Sequence, residues 1–326
     1  MRKHLLAAMA VAALTACSTP GTEPAGGGNA DEVTYLTSFS TFGRDAYAYV
    51  AQEKGYFKEA NLDVTINPGT ATVDVLKLVA SGRADFGVGD FTATAITVAK
   101  EKLPVTTVAM IHQKSLAAIV SLTDKGIKTP ADLVGKRIGD QPGSTNQLMF
   151  PVYAKQAGID HTKVEFVPSQ PPALPQLLAA GQVDGIGQFV VGVPLIEKAA
   201  QGRKASALPY GDVLPDLYGN ALVTKKDLPT KNPQLVERFR GALLKGLAYS
   251  IEHPEESGQI LKKYQPTQDA AAAAAEVALM LPYVRPTDGP VGRSDEFRVA
   301  KTIQLLVEAG AIPENSVTSK DLVATP

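Results

Sequence analysis

The chain has 326 residues, 44% of them hydrophobic, and its 32 Lys and Arg stand against 33 Asp and Glu, a balance that argues against a nucleic-acid partner. Its single cysteine excludes a disulfide framework. The length exceeds what one core usually takes, so two lobes are expected.

The first residues, MRKHLLAAMAVAALTAC, place Arg2 and Lys3 before an apolar run from Leu5 to Leu14. The run is too short to cross a bilayer and reads as a secretory signal. Leu14-Thr15-Ala16-Cys17 resembles the bacterial lipobox, in which the cysteine is lipid-modified and begins the mature chain. Loss of the signal removes Arg2 and Lys3 and leaves a net charge near −3. Residues 1–16 are therefore expected to be a lipoprotein signal peptide with Cys17 as the lipidation site, and 17–31, with STPGTEPAGGGNAD, a flexible tether.

The stretch from Val33 to Ile66 organises the mature chain: a strand, a loop over Ser38 to Arg44, a helix that Asp45 is placed to cap, a stop at Gly55, and a second strand. A loop delivered to a helix N-terminus meets unpaired N–H groups and a partial positive charge, which suits a polar or anionic small molecule. Thr72 to Ser81 reads as a helix stopped by Gly82, and Ala84 to Val88 as a buried strand. Gly89-Asp90-Phe91-Thr92 reads as a strand-to-helix turn with Asp90 at a capping position. Val105 to Ile111 and Leu116 to Leu122 read as strands, the latter carrying the chain into a second lobe. Thr129 to Leu133 is a short helix with Pro130 in its first turn, and Lys136 to Gly139 a strand. Gly143, Ser144 and Thr145 then offer N–H groups and hydroxyls at a helix start, without the lysine of a phosphate loop.

The second lobe repeats the first. Leu177 to Asp184 matches Leu78 to Asp85 at an offset of 99, and Gly185-Ile186-Gly187-Gln188-Phe189 matches Gly87-Val88-Gly89-Asp90-Phe91 at an offset of 98. Asp90-Phe91 and Gln188-Phe189 are then expected at the carboxyl ends of equivalent strands, where open α/β sheets bind ligands, facing each other across a cleft. Either polar residue also suits a plain N-cap. Val193 to Ala200 reads as a helix and Ala205 to Leu208 as a strand. The turn-rich stretch Pro209 to Asn220 carries Tyr210 and Tyr218. Ala221 to Thr224 reads as the strand returning to the first lobe. Helices come next over Pro233 to Glu252, Pro254 to Lys263, Gln268 to Leu281 and Ser294 to Ala309, with an alanine run from Ala270 to Ala275 that suggests no function.

Four segments, AYVAQEKGYFKEANLDVTI, ASGRADFGVGD, KTPADLVGKRIG and NPQLVERFRGALLKGLAYSIEHPEESGQIL, resemble the extracytoplasmic solute-binding proteins of ABC transporters, in the group handling sulfonates, nitrate and thiamine-pyrimidine precursors. The resemblance runs over nearly the whole mature chain. It implies an α/β fold of the periplasmic-binding-protein type II kind, with two lobes joined by two crossing segments and a ligand between them. Lobe I would comprise 32–117 and 222–326 and lobe II 118–221, with crossings near His112 to Leu122 and Tyr218 to Thr224. Its implied partners are an ABC permease and through it an ATPase, with a lipid anchor on the membrane, for a monomeric binder with no cofactor and no metal.

A relative of this fold makes the thiamine pyrimidine with a cysteine-rich motif and an active-site histidine. That motif is absent here, and His112, His161 and His253 have no Ser, Cys or metal-ligand partner at useful spacing. An enzyme of thiamine-pyrimidine metabolism on the same fold is the alternative of another class. Phe39, Phe42, Phe91, Phe189, Tyr210 and Tyr218 offer flat rings to a flat heterocycle. Asp90, Gln188 and Asn220 offer partners for ring nitrogens or an amine. Ser144 and Thr145 complete the candidate site, and Arg44 suits a sulfonate or carboxylate. The aromatic set favours a pyrimidine-like heterocycle; alkyl sulfonate, nitrate and bicarbonate are the alternatives.

Overall fold

The structure is a computed structural model describing residues 30–286 and 289–324; the signal, Cys17 and the tether up to residue 29 lie outside the described residues. Ten strands occur in chain order: β1 (Asp31–Leu36), β2 (Leu62–Asn67), β3 (Phe86–Asp90), β4 (Val105–Met110), β5 (Ala117–Leu122), β6 (Arg137–Asp140), β7 (Glu165–Pro168), β8 (Gly185–Phe189), β9 (Ala205–Pro209) and β10 (Asn220–Lys225). They form two five-stranded sheets, β2-β1-β3-β10-β4 and β7-β6-β8-β5-β9.

The two sheets have one plan. In the first, β1 runs parallel to β2 and β3, and β10 runs antiparallel to β3 and β4. In the second, β6 runs parallel to β7 and β8, and β5 runs antiparallel to β8 and β9. Each antiparallel strand arrives from the other half of the chain. The chain leaves the first sheet after Met110 and enters the second at Ala117; it leaves the second after Pro209 and returns at Asn220. The crossings therefore precede β5 and β10. Those strands are hydrogen-bonded into the sheet interiors and cannot themselves bridge, which corrects their reading as carrier segments.

Local chemistry accounts for the elements. The helix Thr72–Ala80 and its counterpart Leu174–Ala179 both end before a glycine at positive φ, Gly82 at 75° and Gly181 at 70°, a conformation glycine adopts without a Cβ penalty. The helix Pro233–Glu252 buries Phe239 against the first sheet, stacked on Phe86 at 4.1 Å and on Phe57 at 5.5 Å. The helices Pro254–Tyr264, Ala270–Val284 and Glu296–Glu308 fall within a few residues of expectation. β7 escaped the sequence because it is four residues long, at a sheet edge and only partly buried. Asp45 also differs from expectation: its carboxylate does not cap the helix Ala46–Glu53 but accepts from the Phe42 N–H at 3.0 Å, bracing the turn Gly43–Asp45.

Candidate functional site

The facing strand ends build the site. Asp90 closes β3, and its Oδ1 accepts the Ala93 N–H at 3.0 Å, capping the helix Phe91–Glu101. In the second sheet Gln188 holds the matching position. Its Oε1 accepts the Phe189 N–H at 2.9 Å, and the Asn146 side-chain amide donates to its carbonyl at 3.2 Å.

A second pair of loops meets there. Leu36 lies opposite Gly87 and Ile138 opposite Gly185, so the strands before these loops are equivalent as well. Counting forward, Ser38 corresponds to Asp140 and Arg44 to Asn146. Across the halves, the Thr72 and Thr145 hydroxyls are 3.1 Å apart, and the Phe39 and Phe189 rings meet edge to face at 6.3 Å. Arg44 is buried, with its guanidinium 4.2 Å from the Phe189 ring centre and 4.8 Å from that of Phe42, while Nη2 donates to the Phe39 carbonyl at 3.1 Å. Among the described residues no carboxylate oxygen lies within 4 Å of it. A planar cation held between rings keeps its charge and spends few of its five donors.

Ser38, Phe39, Thr72, Ser144, Thr145, Asn146 and Phe189 line a small cavity of about 10 Å³. That is room for about one water. Around it lie buried polar atoms without a partner: acceptors Asp90 Oδ2, Asn146 Oδ1 and Asn220 Oδ1, and donors Gln188 Nε2 and Arg44 Nε. His112 Nε2 is also unpaired, and because His112 Nδ1 accepts the Asn220 N–H at 3.3 Å, its ring proton belongs on Nε2. Burial, then the Arg44 charge, lowers this histidine to about 3, so it stays neutral. Unpaired buried polar atoms are costly, and a cluster offering both donors and acceptors is the signature of a ligand cradle.

The charges are unevenly matched. Every charged residue buried among the described residues is Arg44, Asp45, Asp90, Asp140 or Glu276. Burial raises Asp90 to about 7, against partial relief from the Ala93 and Thr92 amides. It raises Asp140 to about 7 despite the Ser144 hydroxyl, which donates to Oδ2 at 2.5 Å. Glu276 also rises to about 7 and Asp45 to about 6, both held back first by Arg44. Four carboxyls against one guanidinium make an environment that grows anionic as the pH passes 7.

The sequence-derived residues thus divide. Phe39, Arg44, Asp90, Ser144, Thr145, Gln188, Phe189 and Asn220 gather at the cavity or hydrogen-bond to residues that do; the Asn220 side chain donates to Ser38 Oγ at 3.1 Å, and Gln188 accepts from Asn146 and Phe189. Phe42 stands behind Arg44 as its second ring. Phe91 and Tyr218 do not join them: they pack edge to face at 5.7 Å in the interior, and the Tyr218 hydroxyl accepts from the Asp295 N–H. Tyr210 likewise stacks on Tyr153 at 4.4 Å and donates to the Asn146 carbonyl.

A family model described as NMT1/THI5 like matches residues 45–257. The chain belongs to the NMT1/THI5-like family. This NMT1/THI5-like protein is 26% identical over 262 residues to a formylaminopyrimidine-binding protein of Halalkalibacterium halodurans, covering 76% of each chain. It is 27% identical over 252 residues to a 4-amino-5-hydroxymethyl-2-methylpyrimidine phosphate synthase of Candida albicans, covering 73% of this chain and 72% of the other. Its fold is that of the alkanesulfonate-binding protein SsuA from Xanthomonas axonopodis pv. citri bound to MOPS, with a TM-score of 0.71 at 17% identity over 89% of this chain and 97% of that one. It is a periplasmic-binding-protein fold with two α/β halves.

Ser38, Thr72 and Asn146, which line the cavity, and Asp140, which bonds to Ser144 beside it, were not among the candidates drawn from the sequence. The repeat exposed β3 and β8 through shared glycines, whereas β1 and β6 share no residues that would have led from Ser38 to Asp140. His112 carried a signal, its place beside a crossing, that a structural role equally explained.

Proposed function

We propose that the chain is the extracytoplasmic solute-binding component of an ABC importer, anchored by lipid on Cys17, and that it captures a flat pyrimidine-like heterocycle for a membrane permease. One observation carries this reading: residues from both halves that line the Phe39 and Phe189 cavity, or hydrogen-bond to its lining, carry unpaired donors and acceptors. A ring edge bearing an amine and ring nitrogens satisfies such a mixed set, while its faces meet aromatic side chains. Above about pH 7 the four buried carboxyls weigh against nitrate, bicarbonate or an alkyl sulfonate, which would then sit beside groups of its own sign. The formylaminopyrimidine-binding relative supports the same choice.

The cavity is too small for a pyrimidine, so capture requires the halves to part and close again through the crossings at 111–116 and 210–219. Contacts made by ligand to both halves stabilise the closed form, and a permease distinguishes that form from the open one. The reading takes the chain as a binder and not an enzyme. The buried histidine, His112, is fixed by the Asn220 amide and kept neutral by burial, so it is read as a hydrogen-bonding group of the site. A thermal-shift screen tests the reading: formylaminopyrimidine or a related aminopyrimidine at about 100 times its dissociation constant stabilises by roughly 2.7 kcal/mol, while nitrate and alkyl sulfonates give no shift. Stabilisation by the anions alone, or turnover of the pyrimidine, contradicts it.

A further inference from the structure

The alanine-rich helix Ala270–Val284, to which the sequence assigned no role, reaches the site from the C-terminal part of the chain. Its Glu276 is 1% exposed, and Oε2 accepts the backbone N–H of Arg44 at 3.2 Å, with the Gly43 amide adding to the same carboxylate. The turn Gly43–Asp45 has no side-chain cap of its own at Phe42, so Glu276 supplies from 232 residues away the acceptor that its N–H groups lack.

The helix is pressed against the turn. A Cβ on Gly43 would lie 2.6 Å from the Ala273 carbonyl oxygen and 2.8 Å from Glu276 Cβ. That approach leaves no room for a Cβ at position 43, so glycine is required there. The same helix touches the second half: it packs on the turn Val190–Gly192, directly after Phe189, and on the helix Val193–Ala199. Its capping residue Asp269 pairs with Lys198 there. One helix therefore contacts the loop carrying Phe39, Phe42 and Arg44 and the segment just beyond Phe189.

We propose that Glu276 is a positioning residue for ligand capture, holding the 39–44 loop so that the Arg44 guanidinium stays seated on Phe189 when the halves close. It touches no ligand. Its effect passes through the Arg44 backbone, and the helix that bears it ties that position to closure. The proposal rests on the functional reading above for the ligand captured, though not for how the loop is held.

Two measurements test it separately. Titration with formylaminopyrimidine is made on the wild-type protein, Glu276→Ala, Arg44→Met and the double variant. Glu276→Ala is expected to weaken binding roughly tenfold or more, and to have no further effect once Arg44 is Met, because both changes act through one contact. Glu276→Gln, which keeps an acceptor, restores most of the affinity. Additive losses in the double variant would overturn the proposal. Hydrogen exchange on ligand-free protein decides it even where no pyrimidine binds: amides of residues 42–45 exchange faster in Glu276→Ala than in Glu276→Gln, with the strands unchanged. Equal exchange in both variants, or a uniform rise across the chain, contradicts it. Absence of pyrimidine binding by the wild type with the exchange result intact would sink the ligand reading alone.

Discussion

Asp90-Phe91 and Gln188-Phe189 occupy the same place in two copies of one design, yet they do different work. Both close a central strand flanked by a parallel and an antiparallel neighbour. After Asp90 an α-helix begins at once, and Phe91 turns into the interior against Tyr218. After Phe189 a 3-10 turn, Val190–Gly192, delays the next helix until Val193, and the Phe189 ring remains at the strand end facing Phe39 and Arg44. Duplication thus sets where chemistry can sit, and the element after each strand decides which side chain reaches the partner half.

The largest expected effect separates the two phenylalanines. Phe91→Ala leaves a void in a closed core and costs about 3–5 kcal/mol in urea unfolding, whereas Phe189→Ala costs less than about half of that and mainly weakens ligand binding. Equal losses of stability would erase the contrast. The polar members come next. Asp90→Ala lowers ligand affinity by about 1.5–3 kcal/mol and Gln188→Ala by about 1 kcal/mol, since a hydrogen bond to a charged acceptor is the stronger. Asp90→Asn keeps the cap and folds nearly as stably, so an affinity loss in that variant assigns the effect to charge.

The pH dependence arises from the same carboxyls. Asp90, Asp140 and Glu276 hold their protons to about 7 when folded, through burial, and titrate in the ordinary carboxylate range when unfolded. Between about pH 4 and 7 these three carboxyls keep protons that the unfolded chain has lost, which outweighs the one proton that buried His112 fails to take up, so stability of the ligand-free protein falls as the pH rises and levels off above that window. Chemical denaturation across this range checks it, and Asp90→Asn makes the slope shallower. A rise in stability instead would show these groups to be ion-paired. The smallest effect is expected at the contact between halves: Thr145→Val removes one neutral hydrogen bond to Thr72 and costs about 0.5–1.5 kcal/mol, read as a lower melting temperature without ligand.

Much of this was legible in the chain. Helix stops at Gly82 and Gly181, the offset repeat and the spacing of the C-terminal helices all depend on local chemistry, and local chemistry is what a sequence displays. The strand ends holding Asp90 and Gln188 were found because glycine recurs beside them. The features that stayed hidden depend on contacts between distant segments. Nothing near Arg44 announces that Glu276 will meet its backbone, and nothing in an alanine run announces Gly43. Tyr218 misled because a turn-rich loop bearing aromatics suits a ligand, whereas here Arg298 lies 3.8 Å over its ring and Phe91 closes its edge. His112 was ambiguous for a related reason: its tautomer is set by the Asn220 amide, more than one hundred residues away.

The central claim is that the paired halves hold an uncharged flat ring between Phe39 and Phe189, read by Asp90 and its neighbours. Calorimetric titration at pH 8 with formylaminopyrimidine and with nitrate, on the wild type and on Asp90→Asn, tests it most directly. The account predicts one-to-one binding of the pyrimidine, weakened at least roughly tenfold in the variant, and no heat with nitrate. Saturable binding of nitrate by a protein indifferent to the pyrimidine would contradict it.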